Sequence, residues 1–336
     1  MKMTDMSTLL CVATDNGLLT CERAGGDWRS VAAGLNGRDV TCAIAREGVI
    51  LAGTTDGIFR SDDLGQTWRE MSAGLTLRHV RWMAYHPDVS DLEFAGSEPA
   101  GIFVSRDGGE TWRVCPEVAS LRDAHGWSLP YSPEAGCARG FAFHGRRAYA
   151  AIEVGGVLRS DDGGDTWRLA EGSSGDPDPF DPPPPLICPD VHSIAVHPSS
   201  PDLVYAPTGD GFYRTADAGK TWTRLYRCYC RAAWIDPADP DHVILGPADF
   251  VDANGRIEET RDGGQTWQPA SAGLPVPWRR HMVERFAQVG AELLAVLSNG
   301  HLLAAPLSTL EWRRILPDVK AAQCVAVLDA LRGGMV

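Results

Sequence analysis

One eight-residue pattern returns five times along this 336-residue chain. It reads S-D-D-L-G-Q-T-W at Ser61–Trp68, S-R-D-G-G-E-T-W at Ser105–Trp112 and S-D-D-G-G-D-T-W at Ser160–Trp167. It continues as T-A-D-A-G-K-T-W at Thr215–Trp222 and T-R-D-G-G-Q-T-W at Thr260–Trp267. Trp28 and Trp312 extend the series in degenerate form, giving seven tryptophans spaced about 40 to 55 residues apart. Self-similarity at that period means stacked copies of one unit, each unable to bury its apolar face alone.

Each position of the octet has a mechanical role. Asp at the third place is expected to accept a bond from the backbone two residues on, and Gly at the fifth supplies positive φ. The Ser or Thr hydroxyls bond the same turn, while Trp buries a large face between neighbouring units. Short apolar β-forming stretches ending in a Gly turn precede the octets, such as Val49–Ala52 with Asp56–Phe59, and Leu203–Ala206 with Asp210–Tyr213. Strand, Gly turn, strand, octet turn, strand is a β-meander.

The octet is the Asp-box, or BNR repeat, and the chain resembles the Asp-box β-propellers over nearly its whole length. That group includes sialidases, some endoglucanases, sortilin-type receptors and photosystem II assembly factors. The resemblance implies a fold; one scaffold of this kind hosts unrelated activities. Sialidases add an arginine triad that grips a carboxylate, yet they have six blades and an Arg-Ile-Pro tripeptide that this chain lacks. Their nucleophilic Tyr–Glu pair has no counterpart here either, so a true sialidase is not expected. The assembly factors agree better in blade number and in having an arginine patch, and their role is to bind a partner.

A second repeat marks the innermost strand of each blade. V-H-S-I-A-V-H-P at Val191–Pro198 matches V-R-W-M-A-Y-H-P at Val80–Pro87 and C-R-A-A-W-I-D-P at Cys230–Pro237, with looser copies at Val40–Ala45, Ala138–His144 and Val283–Val289. The chain opens on Leu9–Thr14, which reads as a second strand without a first. Ala321–Leu328 reads as a first strand without a blade. Pairing the two completes one blade and removes an open sheet edge. The expectation is therefore an all-β, seven-bladed propeller of four-stranded antiparallel blades, forming one domain over residues 1–336 and closed by residues 321–328. Seven blades over 336 residues is about 48 residues each, near the usual blade length.

Three insertions interrupt the repeat, at 117–136, 176–189 and 247–257. All are expected on the face where innermost strands begin. The first carries His125, Trp127 and Tyr131 and reads as a loop or lid; the second, D-P-D-P-F-D-P-P-P-P, reads as stiff and extended. No stretch reaches the roughly 20 apolar residues of a membrane span. The first residues do not read as a signal peptide. The nine cysteines form no CxxC pair or framework. A cytoplasmic protein with reduced thiols, no membrane partner, no cofactor and no metal is the resulting expectation. A formal net charge of −13 argues against nucleic acid, whose phosphates demand a basic surface.

Aligning the innermost strands gathers one residue per blade at the channel mouth: Thr41, Arg81, Arg139, His192, Arg231, Glu284 and Gln323. A slip of one residue would substitute Cys42, Trp82, Gly140, Ser193, Ala232, Arg285 and Cys324, which form no coherent site. Three inward arginines require counter-charge, and guanidinium forks suit carboxylate, phosphate or sulfate. Partners within the chain, namely Glu284, Glu153 or Glu98, would serve equally well. His192, Glu284 and Glu153 are the candidate proton-transfer groups, with Asp249 and Glu98 nearby. Arg81, Arg139, Arg231, Thr41, Gln323, His125, Trp127 and Tyr131 are the candidate ligand contacts. Two functional readings remain open. One is an intracellular hydrolase or lyase acting on a small carboxylate-bearing ligand, with a glycoside hydrolase of sialidase type as a lesser variant. The other is a non-catalytic propeller that binds an acidic peptide or assembles a complex.

Overall fold

The computed structural model describes residues 6–129, 136–177 and 181–331. Seven four-stranded antiparallel sheets follow one another as blades around a central channel. Six blades run in simple meander order from the axis outwards, with innermost strands at Val40–Arg46, Val80–Tyr85, Cys137–His144, Ala195–Val196, Tyr229–Asp236 and Val283–Val289. The remaining blade is composite. Its innermost strand is Ala322–Leu331, which pairs with Met6–Thr14 so that Leu328 faces Leu9 and Cys324 faces Ala13. The closing strand is thus the expected one, shifted slightly toward the C-terminus.

The octets are the turns between third and fourth strands, and they repeat atom for atom. In the first, Ser61 Oγ donates to Asp63 Oδ1 (2.8 Å) and accepts from Gly65 N (2.8 Å). Asp63 in turn accepts from the amides of Gln66 (3.1 Å) and Thr67 (2.8 Å) and from Thr67 Oγ1 (2.6 Å). The aspartate therefore caps amides three and four residues on, not two as the sequence suggests. The turn needs left-handed backbone at both its fourth and fifth places, as at Gly108 and Gly109. Leu64 and Ala218 adopt the same conformation without being glycine.

Trp68 and Trp167 donate from Nε1 within their own octets, to Gly65 O and Gly164 O (3.1 Å each), whereas two others of the series bond blade to blade. Trp112 donates from Nε1 to Met71 O of the preceding blade (2.9 Å), and Trp312 does so to Ala270 O (2.8 Å). The backbone beside them is crowded: a Cβ on Gly74 would lie 1.9 Å from Trp112 O, and Gly74 also has φ +91°. At the innermost turns His86 and His197 reach carbonyls of the next blade, Gly145 O (2.9 Å) and Asp236 O (3.1 Å). Alternating small and branched residues fill the space between blades, with Leu10, Val12, Leu294 and Val296 in one such layer.

The insertions differ in part from expectation. The described part of the first insertion, residues 117–129, is not a simple loop. Pro116–His125 is a helix, started by Pro at its first turn and stopped by Gly126 in the left-handed conformation. It packs through Val118 beside the outer strands of two adjacent blades, and Glu117 accepts the Trp167 amide (2.8 Å). It is peripheral and does not cover the mouth. The 176–189 segment buries Ile187 and Cys188, with Pro185 O accepting Trp222 N (2.8 Å). In blade six the second strand runs to Ala248, and the expected loop then projects from Asp249 to Ile257.

Four octet aspartates, Asp63, Asp162, Asp217 and Asp262, titrate at about 2. For Asp63 and Asp262 the main cause is the threonine hydroxyl bond; for Asp162 and Asp217 partial burial opposes this and is outweighed. An unfolded aspartate titrates near ~3.9, so the folded value is depressed. Their stabilisation is complete above about pH 4 and is lost as pH falls toward 2. Urea midpoints followed by tryptophan fluorescence should fall steeply across that window, and midpoints that stay level would contradict the turn's role.

Candidate functional site

Six of the seven ring residues sit where their innermost strand leaves register. The ladder skips Thr41 between Val40 and Cys42, Arg81 between Val80 and Trp82, and Arg139 between Ala138 and Gly140. It likewise skips Arg231, Glu284 and Gln323. These are β-bulges, which insert an unpaired residue and re-aim its side chain. The fifth blade reaches the same end differently: its innermost ladder covers only Ala195–Val196, and an isolated bridge pairs Val191 with Thr208.

A bulge also turns the following residue toward the axis. Trp82, Ser193, Ala232 and Arg285, members of the one-residue-slipped set, line a cavity of about 180 Å³ with Arg231 and Glu284. Arg285 lies over the Trp82 ring at 3.9 Å and divides this space from a lower chamber that also touches Cys42 and Cys324. Both registers therefore face the channel, as successive tiers.

The structure brings Arg139, Glu153, His192, Arg231 and Glu284 into one network. Arg139 Nη1 donates to Glu153 Oε2 (2.8 Å), and its Nη2 lies 3.8 Å from Glu284 Oε2. Arg231 Nη1 donates to Glu284 Oε1 (2.6 Å). Burial alone would raise the pKa of Glu153, but the Arg139 charge, then His192, then hydrogen bonds from Arg139 and Cys137 hold it well below the usual carboxylate range. The same neighbours keep buried Arg139 firmly protonated against its own desolvation.

Residues two places before the ring complete the network, because alternate side chains share a face. Cys137 Sγ donates to Glu153 Oε2 (3.1 Å). Tyr229 accepts from Arg231 Nε (3.1 Å) and Nη2 (2.9 Å), and Asp190 Oδ1 stands 3.2 Å from His192 Nε2. Asp39 accepts from Gln323, and His79 lies 4.0 Å from Glu98. Sequence reading missed Asp190, Tyr229 and Asp39, although their i−2 spacing from the ring was a usable signal. The network holds two guanidiniums against three carboxylates (Glu153, Asp190 and Glu284) and has no cationic surplus.

Other expected contacts lie elsewhere. Arg81 is drawn off to Glu98 (3.5 Å). Thr41 Oγ1 donates to the carbonyl of Val80 and lies 3.1 Å from that of Gly53. Trp127 is buried in a core cluster, with Nε1 donating to Gly175 O (2.7 Å), and His125 stacks on it. Neither reaches the mouth, because the helix that carries His125 packs at the rim. Asp249 pairs with Arg256 (3.2 Å). Tyr131 lies outside the described residues.

The open feature of this face adjoins the network. A groove of about 430 Å³ runs between blades five and six, lined by Asp181, Asp210, Arg227, Tyr229, Phe250 and Arg256. At its edge the projecting loop exposes Phe250 (61 %) and Val251. Gly255 and Trp278 exchange backbone bonds (3.0 and 2.8 Å), tying this loop to the one that carries exposed Arg279 and Arg280. Among the described residues no carboxylate pairs with either arginine.

The BNR/Asp-box repeat profile matches residues 103–114, covering the second octet. The chain is a seven-bladed Asp-box propeller. This propeller is similar in fold to a GH74 xyloglucanase from Xanthomonas campestris, at 19% identity and TM-score 0.62 over 87% of the chain and 47% of the enzyme. It thus spans about half the length of that enzyme. It is also similar to YCF48 from Cyanidioschyzon merolae (14% identity, TM-score 0.59, 90% of the chain and 96% of YCF48). A YCF48 structure bound to D1 peptide aligns likewise (14%, 0.60, 88% and 87%). These likenesses carry the fold; the neighbours include an enzyme and a peptide-bound protein. No curated protein matches the chain in sequence.

Removing one member of a buried ion pair strands the other, typically at a cost of ~3–5 kcal/mol. Arg139→Met should therefore destabilise the fold by about that amount in urea denaturation, and Arg139→Met with Glu153→Gln should recover much of it. A single variant costing less than ~1 kcal/mol would contradict a buried, paired Arg139.

Proposed function

We propose that this propeller is a non-catalytic binding module that takes up an extended acidic, partly apolar peptide segment across the blade-six side of its channel face. The observation that carries the reading is the division of charge on that face. The arginines of the mouth are committed to Glu153, Glu284, Glu98 and Tyr229, whereas Arg279 and Arg280 stand exposed, with no carboxylate partner among the described residues, on the loop that Gly255 and Trp278 tie to the one carrying Phe250 and Val251. An apolar tip next to unpaired guanidiniums is complementary to a segment that alternates carboxylates with apolar side chains. The −13 net charge makes an isolated cationic patch more discriminating. The YCF48 structure bound to a peptide, on a propeller of nearly the same span, supports this reading by analogy of fold.

The enzyme reading, hydrolysis or elimination on a small carboxylate-bearing ligand, rests on His192, Glu153 and Glu284. His192 and Glu153 are almost wholly buried (1 % and 4 % exposed), and general acid–base groups must reach the substrate proton directly or through one water. Burial of both groups favours binding over chemistry.

Selecting from a random peptide display library against the full chain should enrich acidic segments with Leu or Phe. Arg279→Glu with Arg280→Glu should weaken a selected peptide at least tenfold in fluorescence anisotropy, and Phe250→Ser should weaken it several-fold. Enrichment of basic peptides, or binding unchanged by the double reversal, would sink the proposal.

A further inference from the structure

One guanidinium of the channel has no acid. Arg285 follows the bulge at Glu284 and lies over the Trp82 ring at 3.9 Å. Its polar contact within the described residues is a long one, from Nη2 to Thr41 O at 3.4 Å. Glu284, next to it in sequence, is taken by Arg231 and Arg139. Among the described residues no carboxylate pairs with Arg285.

Below this side chain lies the lower chamber of the channel, about 300 Å³ in volume. Its walls include Ile44, Met83, Tyr85, Phe286 and Val325, and among its described lining residues Arg285 is the only charged one. Burial pushes the Cys42 thiol up to about 12 and raises the Tyr85 phenol well above its ordinary value. Both groups therefore stay neutral near pH 7, and neither supplies a counter-charge.

A half-buried cation in apolar surroundings is unfavourable unless something pairs with it. Stacking on Trp82 offsets part of that penalty. It also leaves the N–H edge of the guanidinium free in its own plane, the edge that grips a carboxylate in pairs. Of five N–H donors, only one leans on Thr41 O. On the mouth side of Arg285 the smaller cavity includes Glu284, which repels an anion, whereas the lower chamber is lined by no acid. A concave, mostly apolar space with one placed polar group, near the lower end of the ~300–1,000 Å³ usual for small-molecule sites, is the general form of a ligand pocket.

We infer that the lower chamber binds a small monocarboxylate with an apolar body, the carboxylate on the free edge of Arg285 and the body among Ile44, Met83, Phe286 and Val325. The chamber reaches Ala45 and Tyr85, near the ends of their strands, so a ligand approaches from the octet face. The site is thus separate from the peptide groove beside Phe250, which lies on the mouth face.

Calorimetric titration of the full chain with octanoate tests this, with octanamide as the control for charge and acetate as the control for the apolar body. One equivalent of octanoate should bind, with octanamide and acetate each at least tenfold weaker. Arg285→Gln removes no ion pair and should weaken octanoate at least tenfold; Arg285→Met serves as a second variant if the first melts early. Arg279→Glu with Arg280→Glu should leave octanoate affinity unchanged, which keeps the outcome distinct from that of the peptide reading. The proposal is overturned if the parent binds no octanoate, if octanamide binds as well as octanoate, or if a folded Arg285 variant binds octanoate as well as the parent.

Discussion

A ring of sheets has to close, and nearly everything else here depends on how it does so. Each blade is a small sheet with two apolar faces and covers them only by stacking on two neighbours. The first blade has no innermost strand of its own at the N-terminal end. Ala322–Leu331 supplies it, laid antiparallel on Met6–Thr14. With that pairing made, Leu10 and Val12 pack against Leu294 and Val296 of the last blade, and the circle of blade contacts is complete.

Closure brings seven innermost strands to one axis, and the bulge determines what they present there. An unbroken ladder would send alternate side chains inward along each strand. The bulge inserts an unpaired residue near the mouth and turns the next one inward as well, so polar and mixed tiers stack down the channel. Buried charge in such a place is tolerable only if it is paired. Glu153 pairs with Arg139, Glu284 bridges Arg139 and Arg231, and Glu98 takes Arg81. What fold symmetry gathers, a ring acid (Glu284) and acids at the ends of neighbouring second strands (Glu153 and Glu98) neutralise.

The legible part of this structure was the part written in repeats. Octets, innermost-strand copies and the orphan strands at each end led to seven blades, their order and the closing partner, and the alignment of Val80–Pro87 with its copies found the ring residues. The illegible part depends on single positions. Nothing in the sequence of Cys137–His144 announces a bulge at Arg139, so the tier holding Trp82 and Arg285 looked like an excluded register. Trp127 and His125 looked like loop aromatics because the Pro116 start and Gly126 stop of a short peripheral helix went unweighed. Whether an inward arginine meets a ligand or an internal acid depends on side-chain geometry across two blades, which periodicity does not encode.

The mouth arginines Arg81, Arg139 and Arg231 are each paired with an acid of the same chain, which leaves them poorly suited to hold an external anion. Thermal melting of the full chain against sulfate, phosphate and citrate tests this most directly. Excluded anions stabilise most folds gradually and without saturation, whereas a specific site saturates. With the arginines paired internally, the rise should be gradual and the same in the parent and in Arg81→Gln. A saturable rise at low anion concentration, lost on substituting Arg81 or Arg231, would contradict it.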